Sequence, residues 1–259
     1  MIIKTFKSDN LDVKIFNTRS EMGKAAAADV ATCIKEVLTR KAEIRMVFAA
    51  APSQNEFLDA LASTEGIEWG RIHAMHMDEY VNLPSDAPQG FGNFLRRAIF
   101  DKVPFASVDY IGTDSDSEAT CRKYSEILKS APIDIVCMGI GENGHIAFND
   151  PHVADFNDPL LIKKVDLDQK CRMQQVHDGC FKEISEVPEY ALTLTVPAMF
   201  NAGHLFCVVP AATKADAVKA TVFGPVSEKC PASILRRHKS SILYTDSDSA
   251  KYIIDQEVC

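Results

Sequence analysis

Ile133-Asp134-Ile135-Val136-Cys137-Met138-Gly139-Ile140-Gly141-Glu142-Asn143-Gly144-His145-Ile146-Ala147-Phe148-Asn149-Asp150-Pro151 is the stretch of this 259-residue chain around which the rest is organised. A run rich in β-branched residues leads into three glycines, a histidine, an apolar triplet and a carboxylate held before proline, which reads as a buried strand ending in a functional loop. Ligands of α/β sheets bind at strand ends. Glycines at 139, 141 and 144 allow close backbone approach or positive φ and leave His145 with little bulk around it. The bland alternative is a tight strand exit carrying a surface histidine. The same glycines spell G-x-G-x-x-G, and Asp166 follows at about the distance that a dinucleotide fingerprint asks. Context argues against that reading, because the fingerprint needs a helix opening at the third glycine, whereas this loop stops at Pro151.

Working outward, Leu11 to Phe16 alternates as a strand, and Ser20 is expected to cap a helix from Glu21 to about Arg40. Glu43 to Ala51 reads as a second strand, followed by Pro52-Ser53-Gln54-Asn55 and a helix carrying Phe57, Leu58 and Leu61, whose first amides offer an anion site. A third strand, Arg71 to Met77, delivers Asp78-Glu79-Tyr80 before the Leu83-Pro84 turn, either as a catalytic pair or as caps. His73 and His76 face opposite sides of that strand and read as structural. Further elements are a helix from Gly92 to Phe100, a strand near Val108 to Ile111, and a Ser115-capped helix to Lys129. Then come a strand from Leu160 to Asp166, an extended Tyr190 to Val196, a short helix at Pro197, and a strand from His204 to Val209. Thr213-Lys214-Ala215 opens a helix, Ser233 to Arg236 makes a helical turn, Ser241 to Thr245 is the last strand, and Asp246 to Glu257 reads as a C-terminal helix. The polar segment 168 to 186 reads as a mobile lid. This alternation predicts a single α/β domain over 1–259, a three-layer doubly wound, mostly parallel sheet of about seven to nine strands with helices on both faces. The 50–55 loop, Asp78-Glu79, Asn143 to Asp150 and Lys214 all fall at carboxyl ends of strands, so one crevice can hold them.

Composition narrows the classes. A net charge of −8 gives no basic footprint for nucleic acid or an anionic membrane, although Lys163-Lys164 or Arg236-Arg237-His238-Lys239 can meet a small anion. The eight cysteines contain no C-x-x-C pair and several sit in apolar runs, which suits reduced core thiols in a cytoplasmic protein rather than disulfides or zinc. No secretory signal and no long uninterrupted apolar segment is present.

Three ordered motifs are similar to glucosamine-6-phosphate deaminases over nearly the whole chain: Met77-Asp78-Glu79-Tyr80-Val81-x-Leu83-Pro84, the loop from Gly139 to Pro151, and Ala191-Leu192-Thr193-Leu194-Thr195-Val196. The Lys214-Ala215 helix start and Pro231-Ala232-Ser233-Ile234-Leu235 extend the resemblance. The sibling 6-phosphogluconolactonases share the G-x-G-x-x-G-H core, but resemble D-E-R where this chain has Asp78-Glu79-Tyr80, and lack Ala147-Phe148-Asn149. The resemblance implies an aldose–ketose isomerisation of an amino-sugar phosphate ending in ammonia release, with no cofactor and no metal. It implies Asp78 as the base between C2 and C1, and His145 as the ring-opening acid/base, supported by Asn143 and Asp150. For substrate binding it points to Ala51, Ser53, Gln54, Glu79, Gly144, Arg172 and Lys214. Its implied partner is a small-molecule sugar phosphate, and self-association into a homo-oligomer is compatible with it.

Departures stand at four places. The family's aspartate is Asn143, a neutral amide that orients a histidine without charge support, and its glutamate is Asp150, which must come closer to act. The phosphate loop, T-G-G-T-P or T-G-S-T-P in deaminases, is Ala50-Ala51-Pro52-Ser53-Gln54-Asn55, with bulkier residues in place of glycine, and Arg172 is the one arginine available between 168 and 186 for the family's arginine. Two alternatives accompany the deaminase: lactone hydrolysis on the same fold, and a non-catalytic sugar-phosphate sensor. A sensor is expected to carry a DNA-binding segment, for which a first helix near residue 20 leaves no room.

Overall fold

The computed structural model describes residues 1–113 and 116–256. In chain order it forms β1 (Ile2–Ser8), β2 (Leu11–Phe16), α1 (Arg19–Leu38), β3 (Ile44–Phe48), α2 (Asn55–Ala62), β4 (Ile72–His76), β5 (Asp78–Tyr80), α3 (Phe91–Leu95), β6 (Ser107–Asp109) and α4 (Ser117–Ser130). There follow β7 (Ile135–Met138), β8 (Ile162–Asp166), α5 (Gln169–His177), β9 (Tyr190–Leu194), α6 (Val196–Phe200), β10 (His204–Val209), α7 (Ala215–Phe223) and β11 (Ser241–Asp246).

Eight strands make one sheet in the order β1-β2-β11-β10-β7-β3-β4-β6, antiparallel at β1 and parallel elsewhere. Side chains alternate across it as a two-residue period demands. Ile44, Met46, Phe48, Ile135 and Cys137 pack with α1 and α2 on one face, while Val47, Val136 and Met138 pack with α4, α6 and α7 on the other. Helices therefore cover both faces, as expected of near-continuously apolar strands. The chain runs outward from β3 through β4 to β6, then returns to β7 on the other side of β3. This reversal between β3 and β7 places a crevice above their carboxyl ends.

Several expectations need correction. β1 was not foreseen; it pairs with β2 through a tight turn with Asp9 at φ 49°. β5, β9 and β8 form a separate three-stranded antiparallel sheet. Thr18, not Ser20, caps α1, its side chain accepting from the Glu21 amide. The helix expected from Gly92 to Phe100 is α3 followed by a wider turn over Arg96–Phe100. The Ser115 cap lies outside the described residues, and the Asp116 side chain caps α4 at the Ala119 amide. After β11 the chain makes turns to Asp255 rather than a helix. Asp246 accepts from the Ser249 and Ala211 amides, and Ser249 Oγ donates to the Val209 carbonyl, so local side chains take the place of helical bonding. Among the described residues no helix is long and apolar enough to cross a membrane.

Candidate active site

The crevice at the β3/β7 reversal is a narrow cavity of about 50 Å³ that opens to solvent. β3 delivers Ala49, Ala50 and Ala51, the turn Pro52–Gln54 adds Ser53 and Gln54, and β7 delivers Gly139, Ile140, Gly141 and His145. Met77 and Asp78 enter from the end of β4, Lys214 from the turn after β10, and Gln174 and Gln175 from α5.

His145 is locked from behind. Its Nδ1 lies 2.8 Å from Asn143 Oδ1 and 2.9 Å from Asp150 Oδ1, both acceptors, so Nδ1 carries the proton and Nε2 is left as the exchangeable nitrogen. Asn143 Nδ2 donates to Asp150 Oδ1 at 2.9 Å and to Asp168 Oδ2 at 3.0 Å, which fixes the amide's orientation. Asp150 is fully buried. Burial pushes its acidity toward higher pKa, but hydrogen bonds from His145, Asn143 and the Asp168 amide outweigh that and hold it below the usual carboxylate value. The shorter side chain thus reaches the imidazole directly, and the charge support absent from Asn143 comes from Asp150. Gly141 is required by this ring: a Cβ there would lie 2.1 Å from His145 Cε1. Asn149 stitches the loop to β9, donating from Nδ2 to the Leu194 carbonyl at 2.8 Å, and Ala147 holds φ 50°.

Asp78 is buried, and its pKa is raised well above the carboxylate range by burial and then by the Glu79 charge. Its backbone is braced by His76, whose Nδ1 donates to the Asp78 carbonyl at 2.9 Å while Nε2 accepts from the Ile111 amide. Burial holds that imidazole neutral, with its pKa lowered to about 4. His73 turns the other way, to Ser107 and Glu43, so both histidines are structural as expected.

Three expected binding residues lie outside the cavity lining. Glu79 accepts from the amides of Tyr80, Phe91 and Gly92 at 2.9, 3.0 and 2.8 Å, anchoring the start of α3. Arg172 turns away, donating to the Ile184 and Val187 carbonyls at 2.9 and 2.8 Å. Gly144, at φ 87°, packs against Cys230, where a Cβ would come within 2.8 Å of Sγ. Asn143 and Asp150 act from behind His145. Within the segment 168 to 186, Gln169–His177 forms α5, capped by Asp168 at the Cys171 amide, and Gln174 and Gln175 on it line the cavity. Gln174, Gln175 and Asp168 were not foreseen. The available signal is the Asp168 cap with Cys171, Gln174, Gln175 and Asp178 on one helical face, a stripe that a search for apolar periodicity passes over.

Two donor clusters lie here: His145, Asp150 and Cys171 bring ligand atoms within 4.8 Å of one another, as do Asp150, His152 and Asp168. Burial, then the charges of Asp150 and Asp168, hold the Cys171 thiol well above its usual pKa, which disfavours the thiolate a soft metal needs.

Residues 17–244 match the family model of glucosamine-6-phosphate isomerases/6-phosphogluconolactonase. A glucosamine-6-phosphate deaminase of Bacillus cereus (strain G9842) is 36% identical over 185 residues, covering 71% of this chain and 68% of that protein. The solved structure of a monomeric glucosamine-6-phosphate deaminase superposes with a TM-score of 0.83 at 27% identity, over 92% of this chain and 98% of that one. The 6-phosphogluconolactonase of Thermotoga maritima gives 0.73 at 20% identity, over 90% and 98%, a likeness of fold.

Proposed function

This chain belongs to the glucosamine-6-phosphate isomerase/6-phosphogluconolactonase family, and within it we propose a deaminating aldose–ketose isomerase that converts glucosamine-6-phosphate to fructose-6-phosphate and ammonia. The observation that carries this reading is the sharing of one cavity by a buried carboxylate, Asp78, and an imidazole, His145, with its Nε2 unencumbered. His145 Nε2 takes the proton of the anomeric hydroxyl and returns it to the ring oxygen, opening the sugar, while Asp150 stabilises the transient imidazolium. Asp78 then removes the C2 proton and delivers it to C1, and water hydrolyses the C2 imine, giving the ketose and ammonia. A desolvated carboxylate is a stronger base than one in water, which suits abstraction from carbon. Lactone hydrolysis needs activation of water and no proton transfer between carbons.

Lys214 and the polar lining would hold the far end of the substrate. The seven cysteines among the described residues are free, which supports a reducing, cytoplasmic setting. The test is one preparation assayed for ammonia release from glucosamine-6-phosphate and for 6-phosphogluconolactone hydrolysis. Ammonia with an equal yield of ketose is expected; lactone hydrolysis without ammonia would move the chain to the other branch.

A further inference from the structure

Asn143 holds the His145 ring, and Asp168 holds Asn143. The Asn143 oxygen accepts from His145 Nδ1 at 2.8 Å, while its Nδ2 donates to Asp168 Oδ2 at 3.0 Å. A carboxylate at the donor end of an amide polarises it, so the Asn143 oxygen becomes a stronger acceptor for the Nδ1 proton. Asp168 has a second engagement: its Oδ1 accepts from the Cys171 amide at 2.6 Å and caps α5. Its own backbone amide donates to Asp150 Oδ2 at 3.3 Å. α5 carries Gln174 and Gln175 into the lining of the cavity. Gln174 Oε1 accepts from the Glu142 amide at 2.9 Å, one residue before Asn143. This wall of the cavity is thus fastened at two points to the loop behind the imidazole, Asp168 to Asn143 and Gln174 to Glu142. Both tasks of the Asp168 side chain need two acceptor atoms. An asparagine there has one oxygen and must turn its NH₂ toward either the Cys171 amide or Asn143 Nδ2, each of them a donor.

We propose, on the reading that His145 is the acid/base of this reaction, that Asp168 is a positioning residue. Through the Asn143 amide it keeps the proton on His145 Nδ1, and through the cap it makes the position of α5, the helix that presents Gln175 to a ligand, felt at the imidazole. Two variants of the full chain test it. Asp168→Ser keeps an N-cap acceptor on a shorter side chain and gives up the bond to Asn143. Asp168→Asn keeps the shape and one acceptor. Asp168 lies outside the cavity lining, so each variant, shown to be folded by its melt, should lose about ten- to a hundredfold in kcat for ammonia release while KM stays within about threefold. In an Asn143→Ala background the same substitutions should add less than about twofold, since the route to His145 is already cut. A second readout needs no turnover: the Nδ1–H proton resonance of His145, assigned by its loss in His145→Gln, should shift or broaden in both variants. A kcat within about twofold of the parent's, an unmoved Nδ1–H resonance, or full additivity with Asn143→Ala would overturn the proposal. A parent that releases no ammonia would remove the deaminase reading, and the Nδ1–H resonance would still decide the place of Asp168.

Discussion

Replacing Gly141 by alanine puts a methyl group where the His145 ring now lies. The added Cβ would sit 2.1, 2.2 and 2.4 Å from Cε1, Nε2 and Nδ1 of His145, where ordinary contact begins at 3.4 Å. The ring must retreat by about 1.3 Å, the difference between 3.4 and 2.1 Å. It cannot do so and keep both Nδ1 hydrogen bonds, at 2.8 and 2.9 Å, because Asn143 and Asp150 are themselves held by Asp168. A misplacement of about 1 Å costs about 10²-fold in rate. Ammonia release by Gly141→Ala should therefore fall about a hundredfold in kcat, with the melting temperature measured alongside to confirm the fold. In a His145→Gln background, Gly141→Ala should add little, since residues acting as one unit are not additive. A Gly141→Ala enzyme within about threefold of the parent, or full additivity with His145→Gln, would refute the positioning of this ring.

Asp78→Asn keeps the shape and removes the base, so kcat should fall about 10²–10⁴-fold. Because the folded-state pKa of Asp78 is raised, its ionisation costs stability as pH climbs above the unfolded value, so the same variant should melt higher near pH 7. A gain of about 1 kcal/mol would appear as about 2–4 °C. His76 titrates the other way: its pKa falls from 6.5 to about 4, so the unfolded chain binds the extra proton and stability should decline as pH drops from 6.5 toward 4. Thermal melts of His76→Gln should lack that part of the acid slope. Asn143→Asp does not simply restore a charge beside the histidine. Its second oxygen would face Asp150 Oδ1 at 2.9 Å and Asp168 Oδ2 at 3.0 Å, so the variant should lose about 1–3 kcal/mol near pH 7 and regain it in acid, read by melts across pH.

The parallel sheet was legible because its strands are short apolar runs buried on both faces, and Ile135 to Met138 divides its side chains between the two cores. Asp78, His145, Ser53, Gln54 and Lys214 were legible for a related reason: each follows such a run, and the β3/β7 reversal gathers those ends. What escaped depends on partners distant in sequence. Arg172 is a cation in the right segment, but the direction it faces is decided by the carbonyls of Ile184 and Val187. Glu79 stands beside the base, yet three amides claim it, two of them from Phe91 and Gly92. β8 and β9 read as members of the main sheet because their local pattern says extended without saying paired with what, and β5, three residues expected as a strand exit, was not foreseen as a strand. Asp246 and Ser249 look like a helix start, and their bonds to Ala211 and Val209 turn the chain instead.

The central claim is that Asp78 moves a proton between carbons, and solvent-deuterium incorporation at C1 of the ketose measures it most directly. With glucosamine-6-phosphate in D₂O, the parent enzyme should place deuterium at C1 and release ammonia in step with ketose formation. Asp78→Asn, confirmed folded by its melt, should do neither above the solution background. Undiminished C1 labelling and ammonia release in Asp78→Asn would contradict the account.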